Sequence, residues 1–167
     1  MWWYKLKFAY FIALLLAVAG CSTVNVGLLD ETVSAKVSSV SVVETSGRAG
    51  QLYSRELRRA LYLYGQTVPA YEITSSISVS SSSTLSVRGV SSTYKKMTIV
   101  ANFELTKQGS ADVLLQDTVT ADSTLGTVSS LFGQDQSELH ARDRMARLIA
   151  QRVAQRIQLY FLENAVN

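Results

Sequence analysis

The chain has 167 residues, a formal charge of +3, one Cys, one His and one Pro, and is 47% hydrophobic and 17% charged. That composition excludes a disordered chain and leaves room for one ordinary domain. One Cys excludes an internal disulfide framework, one Cys with one His argues against a Cys/His zinc site, and a small positive excess without a basic block implies no nucleic-acid partner.

The first segment reads as an address. Lys5 and Lys7 form a basic start, and Phe8 to Gly20 (FAYFIALLLAVAG) follows without charge. Thirteen helical residues span only about 20 Å, short of the ~30 Å hydrocarbon core, so a signal peptide is expected rather than a membrane span. The run ends in Val18-Ala19-Gly20-Cys21, which resembles the bacterial lipobox. The small residues suit a peptidase groove and Cys21 supplies the thiol for lipidation. Acyl chains at ~0.8 kcal/mol per buried CH₂ would then hold the mature protein to a membrane. Ser22 stands where the inner-membrane sorting signal places Asp, so the resemblance implies the periplasmic side of the outer membrane. Cleavage before Cys21 removes Lys5 and Lys7, so 16 basic residues become 14 against 13 acidic.

The expected division is therefore 1–20 signal peptide, 21–36 lipidated tether and 37–167 folded domain. Val37 to Thr45 is rich in β-branched residues and reads as a strand. From Gly50 to Tyr64, Tyr53, Leu57, Ala60, Leu61 and Tyr64 share one helical face, with Arg55, Arg58 and Arg59 off it; Gly65 and Pro69 end the helix. Tyr71 to Val87 alternates strictly, with Tyr71, Ile73, Ile77, Val79, Leu85 and Val87 on odd positions and polar residues on every even one. Its length suggests either an overhang or a bulge near Ser80 to Ser83. Arg88 to Ser91 reads as a turn. Thr93 to Thr106 alternates again, Lys107 to Ser110 is a hairpin turn with Gly109, and Val113, Leu115, Val119 and Ala121 mark a fourth strand. Asp122 to Gln136 reads as a loop, and Asp135 with Glu138 as the cap of a helix from about Ser137 to Glu163. The expected fold class is α+β: a two-layer sandwich, order β-α-β-β-β-α, with a four-stranded mostly antiparallel sheet carrying two helices on one face.

Catalytic chemistry finds no support in the residues. There is no Gly-x-Ser-x-Gly elbow, no phosphate-binding glycine loop and no carboxylate cluster of metal-ligand spacing. His140 is expected at a helix surface. No catalytic residue, metal or cofactor is therefore assigned.

Taken together, the lipobox, a helix starting GRAGQLYSREL (Gly47 to Leu57), the long meander, a strand ending TVTADSTL (Thr118 to Leu125) and the helix ARDRMARLIAQRVAQRIQLYF (Ala141 to Phe161) resemble the LptE family of LPS-assembly lipoproteins in its alphaproteobacterial form. The resemblance implies a plug inside the outer-membrane β-barrel LptD that assists lipopolysaccharide transport and assembly, without covalent chemistry. It also implies contact with lipopolysaccharide, whose phosphates and acidic sugars call for Arg or Lys near an exposed tip. Arg88, Lys95 and Lys96 are the candidates, with Arg55, Arg58 and Arg59 a second basic patch. The alternative function is an accessory lipoprotein of an envelope lipid ABC transporter, which an apolar ligand groove would favour.

Overall fold

In the computed structural model, the described residues are 31–62, 65, 67–84, 94–126 and 130–166. The expected signal peptide, Cys21, the start of the expected tether, and Arg88 with the turn expected there lie outside them. The order is α1 (Glu31–Ser38), β1 (Val40–Val42), α2 (Gly47–Leu61), β2 (Tyr71–Thr84), β3 (Tyr94–Lys107), β4 (Val113–Gly126) and α3 (Leu131–Val166). The four strands form one sheet in the order β1-β2-β3-β4. β1 runs parallel to β2, and β2, β3 and β4 form an antiparallel meander. The α+β two-layer architecture matches the sequence reading, with a third helix added.

The layers follow from period-2 alternation. On β3, Met97, Ile99, Ala101, Phe103 and Leu105 are buried. Ile73 of β2 and Val119, Ala121 and Leu125 of β4 lie on the same odd-numbered face. Helices α2 and α3 pack on each other, and both reach the sheet. α2 contributes Tyr53, Leu57 and Leu61; α3 contributes Met145, Ile149, Val153 and Ile157. Burying each such side chain stabilises the fold by ~2 kcal/mol relative to exposure. Tyr71 and Phe161 close the proximal end with ring centroids 5.0 Å apart.

One glycine conformation and one close approach set α2. Gly47 starts it at φ 79°, a left-handed conformation that glycine adopts without Cβ strain. At Gly50 a Cβ would stand 2.8 Å from the Thr45 carbonyl oxygen, so the helix lies directly against the preceding turn. There the Thr45 N–H donates to Ser54 Oγ at 3.0 Å. Gly109, at φ 75°, makes the β3–β4 turn as expected.

Several boundaries differ from the sequence reading. Val37 and Ser38 end α1 rather than begin a strand, and only Val40–Val42 pairs with β2. Residues 31–36, grouped with the tether on sequence, are helical, with Val33 buried where α1 meets α3. β2 pairs with β3 from Tyr71 to Thr84 without a bulge; the irregularity lies instead between β3 and β4 at Leu105/Thr106. β4 continues to Gly126 because Leu125 is buried opposite Lys95. α3 begins at Leu131, and Ser130 caps it: its hydroxyl accepts from the Gly133 N–H at 3.3 Å. Asp135 and Glu138 are thus inside the helix, not its cap.

Candidate interaction surface

The helices cover only one face of the sheet. Its even-numbered face is open across β2, β3 and β4, and its rows follow from the register. Ser80, Thr98 and Asp122 form one row, Ser78, Val100 and Thr120 the next, then Ser76, Asn102 and Thr118, and then Thr74, Glu104 and Gln116. Only Val100 interrupts twelve positions with an apolar side chain. A shallow groove of about 590 Å³ lies over the last two rows.

Cross-strand hydrogen bonds order this face. Thr98 Oγ1 donates to Asp122 Oδ1 at 2.6 Å, Thr118 Oγ1 to Asn102 Oδ1 at 2.8 Å, and Gln116 Nε2 to Glu104 Oε1 at 2.9 Å. Such pairs hold side chains in place while leaving acceptors for a partner or water. On β2 the same face carries small hydroxyls, which lose little rotamer entropy on contact.

The structure separates the basic residues that the sequence grouped. Lys95 points to the helix layer and donates to Glu138 Oε1 at 2.7 Å, with side-chain exposures of 28% and 15%. That bond, with a second from Gln134, holds the Glu138 carboxyl below its ordinary range. Lys96 lies on the open face, 3.1 Å from Asp122 and half exposed. Thr98 first and Lys96 second lower the Asp122 pKa. Adjacent strand residues point to opposite faces, so these two lysines are not one patch. Arg88 lies outside the described residues.

The other basic groups lie on the helix layer. Arg48, Arg55, Arg58 and Arg147 line a groove of about 560 Å³ together with Glu44 and Asp143. Arg48 reaches Asp143 at 3.5 Å, and Arg58 Nη2 donates to the Val42 carbonyl at 3.4 Å. Arg59 is exposed but does not line this groove. On sequence Arg147 only flanks or opposes the apolar stripe of the last helix, because nothing in its spacing announces that α3 packs beside α2 and brings it to this groove. Among the described residues, no group of three or more His, Cys, Asp or Glu could hold a metal ion, and no helix is long and apolar enough to cross a membrane. His140 is exposed on α3.

The fold has solved relatives. A candidate lipoprotein from Caulobacter crescentus aligns with TM-score 0.63 at 15% identity, over 80% of this chain and 97% of that one. A minor lipoprotein from Acinetobacter baumannii gives 0.56 at 14%, over 72% and 90%. The rare lipoprotein B from Shewanella oneidensis gives 0.52 at 15%, over 77% and 96%. At these identities the likeness concerns fold. No curated protein matches the sequence significantly. The family profile of LptE, described as lipopolysaccharide-assembly, matches residues 35–157, which span α1 to most of α3. The chain belongs to the LptE family of lipopolysaccharide-assembly proteins.

Proposed function

We propose that this protein is an outer-membrane lipoprotein whose domain sits as a plug in an LptD-type β-barrel and assists the passage and assembly of lipopolysaccharide. One observation carries the reading beyond the family: a sheet face three strands wide is polar, ordered and uncovered. Cross-strand polar pairs also occur on solvated sheet faces, but the extent of this one, four rows across three strands, suits a polar barrel wall that can share such a ladder. Small hydroxyls on β2 allow close approach. Two grooves of the described surface, of about 590 and 560 Å³, are lined mainly by polar or charged residues, which supports a plug over the transporter-accessory reading. Cys21, lipidated after removal of residues 1–20, would tether the domain to the periplasmic side.

Arg88, Lys95 and Lys96 are the proposed lipopolysaccharide contacts. Lys96 lies at the end of the open face, paired with Asp122 but half exposed, which supports a role toward an anion. Lys95 reaches one only by leaving Glu138. Charge reversal at all three is expected to weaken lipopolysaccharide binding while barrel association survives; unchanged affinity would reject this assignment.

The plug reading is tested by affinity purification of the full-length protein from detergent-solubilised outer membrane. A co-purifying barrel of several hundred residues is the expected result. A monomer, or recovery with an inner-membrane transporter, would reject the reading.

A further inference from the structure

The two edges of the sheet are finished differently. At β4, arginines from α3 overhang the strand. Arg152 Nη1 donates to the Thr120 carbonyl, Arg144 Nη2 donates to Ser123 Oγ at 3.1 Å, and Arg156 Nε lies 3.4 Å from Asp117. Charged side chains over an edge discourage pairing with another strand.

At the opposite edge, β1 covers only the first part of β2. The Val43 N–H donates to the Ile73 carbonyl, and Thr45 Oγ1 donates to the Ser75 carbonyl at 3.3 Å. Those bonds show that odd-numbered β2 residues direct their backbone groups outward. The Ala70 carbonyl, an even-numbered neighbour, accepts instead from Gln108 on the β3 side. Beyond Ser75 the outward groups are those of Ile77, Val79 and Ser81, and no strand among the described residues pairs with them. Within the described strand itself the usual guards are missing. Ile73 to Thr84 contains no charged residue and no Pro, and its register with β3 is unbroken.

A notch of about 280 Å³ adjoins this edge on the helix side. Ile77, Val79 and Leu139 supply its apolar surface, and Arg48, Arg142 and Asp143 its charged rim. Val79 is 38% exposed. Arg48 pairs with Asp143 at 3.5 Å and Arg142 stands near Glu138, so the lining's excess of one positive charge is partly offset and Arg142 is its more available cation.

From this juxtaposition we infer that the Ile77–Ser81 edge of β2 receives an extended segment of the barrel partner by strand addition. Main-chain hydrogen bonds form to Ile77, Val79 and Ser81, an aliphatic side chain of the segment enters the notch, and an acidic side chain meets Arg142. The inference rests on the plug reading and deepens it, because the edge continues directly into the open polar face.

Proline tests it at an outward-facing position. Ser81→Pro removes one outward N–H without removing a donor from the β2–β3 ladder. Val79→Lys places a guard charge at the same edge and tests the point independently if the proline variant folds poorly. The full-length wild type and both variants are purified from detergent-solubilised outer membrane, with thermal unfolding measured on each. The wild type is expected to bring down the barrel, and the variants to recover about tenfold less of it with unfolding midpoints little changed. In the wild-type complex, amide hydrogen exchange at Ile77, Val79 and Ser81 is expected to slow. Equal barrel recovery by both folded variants, with exchange at these amides unchanged on binding, overturns strand addition and leaves the plug reading standing. Self-association of the wild type that both variants abolish assigns the edge to a second copy and also overturns it. Wild type that recovers no barrel overturns both readings.

Discussion

The two faces of the sheet use the same backbone for opposite purposes. On the odd face of β3, Ile99, Ala101 and Leu105 are fully buried and Phe103 is 1% exposed. On the even face, Thr98, Val100, Asn102 and Glu104 lie one residue away and are only partly covered or exposed. The difference teaches where stability and recognition reside. Stability comes from side chains that lock the helices to the sheet. In the plug reading proposed above, recognition falls to the open face. Substitutions should therefore divide by parity, and mutations can be ranked by how hard they press on that division.

The largest effect is expected from Phe103→Ala. It leaves a cavity under α3 and should cost about 3–5 kcal/mol, read by urea unfolding. Gly50→Ala comes next. A Cβ there meets backbone at Thr45, so a loss of about 1–3 kcal/mol is expected, as for other overpacked sites. Tyr53→Phe keeps the ring but removes the hydroxyl that lies 2.9 Å from Ser75 Oγ. Burial pushes that phenol up to about 12, so it stays neutral at ordinary pH and the loss should be about 1 kcal/mol.

The Lys95–Glu138 pair gives a pH-dependent effect of similar or smaller size. The Glu138 carboxyl is held below its ordinary value of 4.5, chiefly by the bond from Lys95. The unfolded chain thus binds the proton more readily. The pair's stabilisation is complete above the unfolded value and is lost as pH falls through the lower folded one. Glu138→Gln should cost about 1 kcal/mol or less at neutral pH and flatten this part of the acid limb in a melting series. Smallest of all is Asn102→Ala on the open face, expected within about 0.5 kcal/mol of wild type. A loss as large as that of Phe103→Ala would break the division between the faces.

How much of this was legible follows the same parity. The long β2 alternation and the β3 pattern needed only period 2, and the arginine-flanked stripes of α2 and α3 needed only period 3.6. α1 was hidden because Glu31–Ser38 is rich in β-branched and hydroxyl residues, which resemble a strand locally. Val33 and Val37, four apart, are both buried on one side of the helix, so tertiary packing overrides propensity. The start of α3 was obscured because Leu131 and Phe132 remain 84% and 73% exposed and offer no buried stripe. Reading Asp135 and Glu138 as a cap moves the start several residues too late, whereas the capping hydroxyl is that of Ser130.

The candidate surface was half legible. The Ser/Thr face of β2 was visible as polar from the sequence. That β3 and β4 extend it with paired rows depended on register, which no single strand encodes. The separation of Lys95 from Lys96 follows from strand parity alone. What Lys95 does with its charge required Glu138, 43 residues away. The bare β2 edge could not be read at all, because it exists only where β1 stops.

The most direct measurement places a photo-cross-linking residue at Ser78, near the centre of the open face, in the full-length protein in cells. The account predicts a covalent adduct with an outer-membrane β-barrel of several hundred residues. An adduct only with an inner-membrane transporter, or none from a folded and membrane-attached protein, would contradict it.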